Sequence, residues 1–174
     1  MEKYIPDMYQ QSIYTIDYQK LLDKGIKCIL FDLDNTLVPV TDKKPTKKLK
    51  ELFDDLKDKG FKIIIFSNSC KKRLKPFKEE LNVDCCASAR KPSKEKFLLV
   101  LKEYHYSVNE VAIIGDQILT DIVGGNRVGI LTVLTNPISN KDFFVTKFNR
   151  FRERRIMKKL RDKNLFSKGR YYEL

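Results

Sequence analysis

Apolar residues gather in five short runs: IKCILFDL (26–33), FKIIIFSN (61–68), VDCCASA (83–89), EVAIIGD (110–116) and GILTVLT (129–135). Between the runs the spacing changes. Leu49, Leu52, Phe53 and Leu56 recur every three or four residues after Pro45, and Leu74, Phe77 and Leu81 do the same. That repeat puts side chains on one face of a helix. Phe97, Leu98, Leu101 and Tyr104 predict a third helix behind Ser93 as N-cap, and Thr120 to Val128 a short fourth one ending at Gly129. Near-continuous apolar strands separated by helices belong to a parallel sheet covered on both faces. The pattern predicts a doubly wound, Rossmann-like α/β domain on a five-stranded parallel sheet.

Around this core (26–140) lie a leader, 1–25, and a C-terminal tail, 141–174. Tyr4, Ile5, Tyr14, Ile16 and Leu21 are the expected anchors of the leader. A chain of 174 residues suits one domain with a substantial core. No apolar run approaches the ~20 residues that span a bilayer. The segment MEKYIPDMYQQSIYTIDYQ has no apolar signal region, so a cytoplasmic protein is expected. Cys28 sits in an apolar run, Cys85 and Cys86 are adjacent and Cys70 is isolated, a spacing that matches no zinc site and implies reduced thiols. Charge alters the picture more. The net charge is +12, and residues 147–174 hold 11 Lys and Arg against 3 acids. Such an excess points to a polyanionic partner: nucleic acid, anionic membrane or phosphorylated substrate.

In open α/β sheets ligands bind beyond the carboxyl ends of the strands. The first run ends in Asp32-Leu33-Asp34-Asn35-Thr36 and the second in Ser67-Asn68. The third leads into Arg90-Lys91-Pro92, and the fourth ends in Gly115-Asp116 with Asp121 five residues later. Two carboxylates at the end of a buried strand are costly unless something positive compensates them. A hard cation such as Mg²⁺ does so, taking carboxylate oxygens and keeping water and phosphate oxygens as other ligands. Lys91 and the backbone N–H groups around Ser67 and Asn68 suit a dianionic phosphate. Singly, each residue has a plainer role: Asp34 as a turn acid, Ser67 as a strand-end cap, Lys91 as a solvated lysine, Asp121 as a charge at a helix start. Together and in this order they point to phosphoryl transfer.

Four segments, DLDNT, FSNS, KP and GDQILTD, fall in order after strands, and they resemble the four motifs of the haloacid dehalogenase (HAD) superfamily of phosphatases. The resemblance implies that Asp32 is a nucleophile forming an aspartyl-phosphate, and that Asp34 is general acid and then base. It implies Mg²⁺ held by the carboxylates of Asp32 and Asp116 and the backbone carbonyl of Asp34. Ser67 and Lys91 would hold the phosphoryl group beside Thr36 and Asn68, with Asp121 orienting Lys91. One departure is Gln117, where many relatives carry a second acid.

The spacing bears on the substrate. From Asp34 to Ser67 there are 33 positions and from Ser67 to Lys91 there are 24, enough for a helix and a strand each but not for a cap domain. A capless, open site suits a large substrate. The tail interleaves Phe143, Phe144, Phe148, Phe151, Ile156, Leu160 and Phe166 with basic residues. Either its aromatics pack on the core and its charges are solvated, or the helix lies on an anionic membrane. Leader, core and tail together resemble the YqeG-type subgroup of class IIIA HAD phosphatases, which is similar to phosphatidylglycerophosphate phosphatases. That implies an anionic phospholipid substrate and peripheral attachment to the inner face of a membrane. The alternatives are a polynucleotide end or phosphoprotein as substrate, or a nucleic-acid-binding protein on a HAD scaffold.

Overall fold

The computed structural model describes residues 1–141 and 144–173. Its strands are β1 (Met8–Gln10), β2 (Cys28–Phe31), β3 (Lys62–Phe66), β4 (Asp84–Cys86), β5 (Val111–Gly115) and β6 (Leu131–Thr135). They form one parallel sheet in the order β1-β6-β5-β2-β3-β4. The expected five strands are thus six, because the leader supplies an edge strand. Met8, Tyr9 and Gln10 pair with Val133, Leu134 and Thr135. On its other side Tyr9 exchanges two 3.0 Å backbone hydrogen bonds with Tyr172.

The helices are α1 (Tyr18–Asp23), α2 (Lys47–Asp58), α3 (Lys71–Leu81), α4 (Glu95–Glu103), α5 (Val123–Val128) and α6 (Phe144–Asp162). Alternation along the strands sorts the core into two layers. Ile29, Phe31, Ile63 and Ile65 pack with Leu49 and Phe53 of α2 and with Leu74 and Phe77 of α3. Cys28, Leu30, Ile64 and Phe66 face the other way, onto Phe97, Val100 and Leu101 of α4. The α4 stripe therefore runs through Val100 rather than Leu98, which is 51% exposed. Its N-cap is Lys94, one residue beyond the expected Ser93. The expected 120–128 helix is a π-helical turn at Ile118–Ile122 leading into α5, and Gly129 ends it in the left-handed region at φ 88°. Of the leader's anchors, Ile16 and Leu21 are buried, Tyr4 and Ile5 are half-buried, and Tyr14 is exposed. The four cysteines are free thiols.

The chain turns from one half of the sheet to the other between β2 and β5, which is where the fold opens a crevice. The stretches in which a cap would be inserted hold only α2 and β3, and α3 and β4.

The C-terminal segment docks against the β1/β6 side. Leu160 and Phe166 are buried with Tyr9, Ile118, Ile122 and Leu134, and Ile156 and Met157 pack against them. The inward face of α6 includes Arg150, Glu153, Met157 and Leu160, so two of its positions are charged. Phe148 and Phe151 point outward, 61% and 52% exposed. Of the expected aromatic stripe, Phe143 and the side chain of Phe144 lie outside the described residues. No helix among the described residues is long and apolar enough to cross a membrane.

Candidate active site

The crevice brings together the carboxyl ends of β2, β3 and β5. Asp32 follows β2 and is fixed by its N–H donating to the Ile114 carbonyl at 2.9 Å. Lys91, after β4, runs inward so that its ammonium donates to Asp32 Oδ1 (2.6 Å), Asp121 Oδ1 (2.6 Å) and the Phe66 carbonyl (2.9 Å). These three contacts use all of its protons. Asn68 holds the backbone of Lys91 from both sides, accepting from its N–H at 2.7 Å and donating to its carbonyl at 3.2 Å. Asp121 also accepts from the Gln117 N–H at 3.1 Å, so both its oxygens are engaged.

Asp116 is fully buried after β5. Its Oδ1 accepts from the Thr36 hydroxyl at 3.1 Å, and its Oδ2 pairs with Arg150 of α6. Arg150 also donates to the Asp116 carbonyl at 2.8 Å and to Glu153 Oε2 at 3.4 Å. Glu153 Oε1 takes the Leu119 N–H at 2.9 Å. Asp34 points elsewhere. Its carboxylate accepts from the Ser69 hydroxyl (2.7 Å) and from Arg73 Nη2 and Nε (2.8 and 3.1 Å). Ser67 is buried, and its hydroxyl oxygen accepts the Ser69 N–H at 3.1 Å.

Electrostatics follow from this packing. Asp32, Asp116 and Asp121 offer ligand atoms within 4.8 Å of one another, all buried. Burial pushes the Asp116 carboxyl up to about 6, against the lowering pull of Arg150. Burial raises Asp32 as well; Lys91 opposes this, and the Asp121 and Asp116 charges add to it. On Lys91 burial acts downward, but Asp121 and Asp32 outweigh it and hold the ammonium above the usual lysine range. Three carboxylates thus meet one ammonium and one guanidinium, which leaves a negative surplus in a buried site. A hard divalent cation fits that surplus and the all-oxygen donor set. Asp121 is already committed to Lys91 and Gln117, which leaves Asp32 and Asp116 to supply carboxylate ligands. The side chain of Asp34 lies outside the cluster, so only its backbone is left for such a role.

All eight residues singled out in the sequence therefore lie along this rim, but the Asp34 carboxylate is turned to Ser69 and Arg73, and Thr36 and Asn68 are occupied by Asp116 and Lys91 respectively. Four more residues belong to it: Ser69, Arg73, Arg150 and Glu153. Ser69, the second serine of FSNS, was legible by proximity. The others reach in from helical faces that carry no motif.

Gly115 is where this packing leaves no room for a side chain. A Cβ there would stand 2.2 Å from Asp121 Cγ, and Asp121 is held by Lys91 and Gln117. Gly115→Ala is expected to destabilise the fold by about 3 kcal/mol, read by denaturant unfolding. A loss below about 0.5 kcal/mol, within the ordinary range for a harmless substitution, would show that the Asp121 turn yields freely.

Residues 1–139 match the model of a family described as mitochondrial PGP phosphatase. "Probable phosphatase YqeG" of Bacillus subtilis (strain 168) is 39% identical over 160 residues, 92% of this chain and 93% of that protein. Phosphatidylglycerophosphate phosphatase 1, chloroplastic/mitochondrial, of Arabidopsis thaliana is 30% identical over 147 residues, 79% of this chain but 42% of that longer protein. In fold the chain is similar to 3-deoxy-D-manno-octulosonate 8-phosphate phosphatase of Moraxella catarrhalis, solved with magnesium ion, phosphate ion and KDO. The TM-score is 0.54 at 15% identity, covering 71% of this chain and 76% of that one. HAD-family hydrolases of known structure share the same fold.

Proposed function

The chain belongs to the mitochondrial PGP phosphatase family, and on that footing we propose that it hydrolyses the terminal phosphate of phosphatidylglycerophosphate through an aspartyl-phosphate on Asp32. The observation that carries this reading is the buried Lys91–Asp32–Asp121 array beside Asp116, on a rim that no element among the described residues caps. The Asp32 carboxylate attacks phosphorus as the bond to the glycerol oxygen breaks, and Asp34 delivers a proton to that oxygen. Water then attacks the aspartyl-phosphate, Asp34 takes its proton, and inorganic phosphate leaves with Asp32 regenerated. Ser69 and Arg73 hold the Asp34 carboxyl in one orientation through the turnover. Lys91 balances the charge of the phosphoryl oxygens, and the Ser67 hydroxyl donates to one of them. Asp32 and Asp116 would hold Mg²⁺, which supplies Lewis-acid polarisation of the phosphoryl group and screens the carboxylates.

The outer face of α6 supports docking on a membrane. Phe148 and Phe151 are exposed there, the Arg155 guanidinium lies 4.9 Å from the Phe151 ring centre, and further bases surround them. Rings of this kind enter the headgroup boundary of an anionic bilayer while the bases meet its charge. We place the protein at the cytoplasmic surface of such a membrane.

The test is a phosphate-release panel with Mg²⁺. Phosphatidylglycerophosphate in anionic vesicles is expected to exceed a 5′-phosphorylated oligonucleotide, a phosphopeptide and soluble sugar phosphates by at least tenfold in kcat/KM. Preference for the oligonucleotide or the phosphopeptide would overturn the lipid assignment and leave the phosphatase intact.

A further inference from the structure

A cavity of about 860 Å³ lies between α6 and the loop that follows β6. One wall carries Arg154, Lys158 and Arg161, with Lys168 at the end, and Met157 gives a patch of apolar floor. The acid in the lining is Glu153, and it is already taken by the Leu119 N–H and Arg150. Arg154, Lys158 and Arg161 stand at i, i+4 and i+7, so three like charges stack on one helical face, a spacing that costs helix stability. Among the described residues, neither Arg154, Lys158 nor Lys168 has a carboxylate within ion-pair distance. Arg161 reaches only its neighbour Asp162, at 4.0 Å. Such a wall suits an anion.

The cavity is tied to the catalytic rim at both sides. On the helix side, Arg150 lines it and holds Asp116. On the loop side, Asn35, three residues after Asp32, fixes the opposite wall. Its carbonyl accepts from the Ile138 N–H at 2.9 Å, its side-chain oxygen from the Ser139 hydroxyl at 2.8 Å, and its amide donates to the Lys141 carbonyl at 2.8 Å.

Resting on the lipid reading above, we propose that this cleft seats the substrate's second phosphate, the phosphodiester that stands one glycerol away from the phosphate being cleaved. A diester bears a single charge on two free oxygens, which the Arg154 and Lys158 side chains can share, while Met157 faces the glycerol carbons. A polynucleotide would also bring a second phosphate. Among the described residues, however, no aromatic ring lines the cleft to give bases a stacking platform. The chemistry favours a lipid headgroup.

The experiment uses the full-length protein with Mg²⁺ and the double variant Arg154→Gln/Lys158→Gln, both positions being exposed. Substrates are presented in neutral detergent micelles, which removes attraction to a charged surface. The ratio of kcat/KM on phosphatidylglycerophosphate to that on phosphatidic acid, a lipid monoester without the diester, is expected to fall tenfold or more, mainly through KM. Soluble glycerophosphoglycerol should inhibit aryl phosphate hydrolysis by the wild type at least tenfold more strongly than by the variant. That second arm reads the cleft even where the lipid is not turned over. If the wild type ignores phosphatidylglycerophosphate, the substrate reading fails; if it also shows no diester inhibition, the cleft assignment fails with it. An unchanged ratio, or equal losses on both lipids, overturns the subsite. So does a KM effect confined to a 5′-phosphorylated oligonucleotide, which would assign the cleft to nucleic acid.

Discussion

Asp32→Asn is expected to lower turnover of every phosphomonoester by on the order of 10⁴-fold or more, the scale on which loss of a covalent nucleophile is felt. Shape is kept, and Lys91 retains Asp121 and the Phe66 carbonyl as partners. Because burial already disfavours the charged form of Asp32, the neutral amide should melt no lower than the wild type. Loss of activity with an intact melting curve separates a chemical role from a structural one. Asp34→Asn makes the contrast. Its loss should be severe on alkyl phosphates, whose leaving oxygen needs a proton, and mild on aryl phosphates, which do not. More than a tenth of wild-type rate in Asp32→Asn, with deamidation excluded by mass spectrometry, would sink the aspartyl-phosphate pathway.

Removing the metal is expected to have the other large effect. Chelation should abolish turnover and lower Tm, with a wider gap at pH 8 than at pH 5. The sign comes from Asp116. An aspartate in an unfolded chain titrates near about 3.9, whereas burial holds this one up at about 6. Between those values the folded, metal-free protein keeps a proton that the unfolded chain has released. The stability this contributes is complete below about pH 4 and is lost as pH rises through about 6. A cation reverses the trend by compensating the ionised carboxylates. At 100 times its Kd it contributes about 2.7 kcal/mol, some 5–10 °C in Tm for a chain of this size. Thermal melts in EDTA and in Mg²⁺ at the two pH values test this. Full activity and an unchanged Tm after exhaustive chelation would refute it.

Much of this molecule could be read before its structure was known, and the exceptions have a common cause. The strands β2, β3, β5 and β6 are buried on both faces and announce themselves as apolar runs, and the carboxylates after β2 and β5 mark the rim. β1 did not, because three residues are too few for a period and its burial depends on partners over 120 positions away. Leu98 and Val100 exchanged roles because short apolar stretches such as FLLVL fit two helical registers. The inward face of α6 stayed hidden for a sharper reason. Its inward face carries Arg150 and Glu153, so the apolar stripe that reveals a packed face is interrupted where the helix meets the catalytic centre. The hydrophobic pattern reports burial in the core. It does not report a helix that buries charge against charge.

The pairing of Tyr9 with Tyr172 also has a meaning in time. It joins residue 9 to residue 172, and closing so long a loop costs entropy before any contact repays it. The neighbouring strands β2 and β3, β3 and β4, and β5 and β6 close shorter loops and can assemble first. Arg150 belongs to the same C-terminal segment as Tyr172, so the guanidinium reaches Asp116 when that segment settles. A refolding chain therefore recovers its helical signal before its catalytic competence, and the slowest docking step sets when the enzyme switches on.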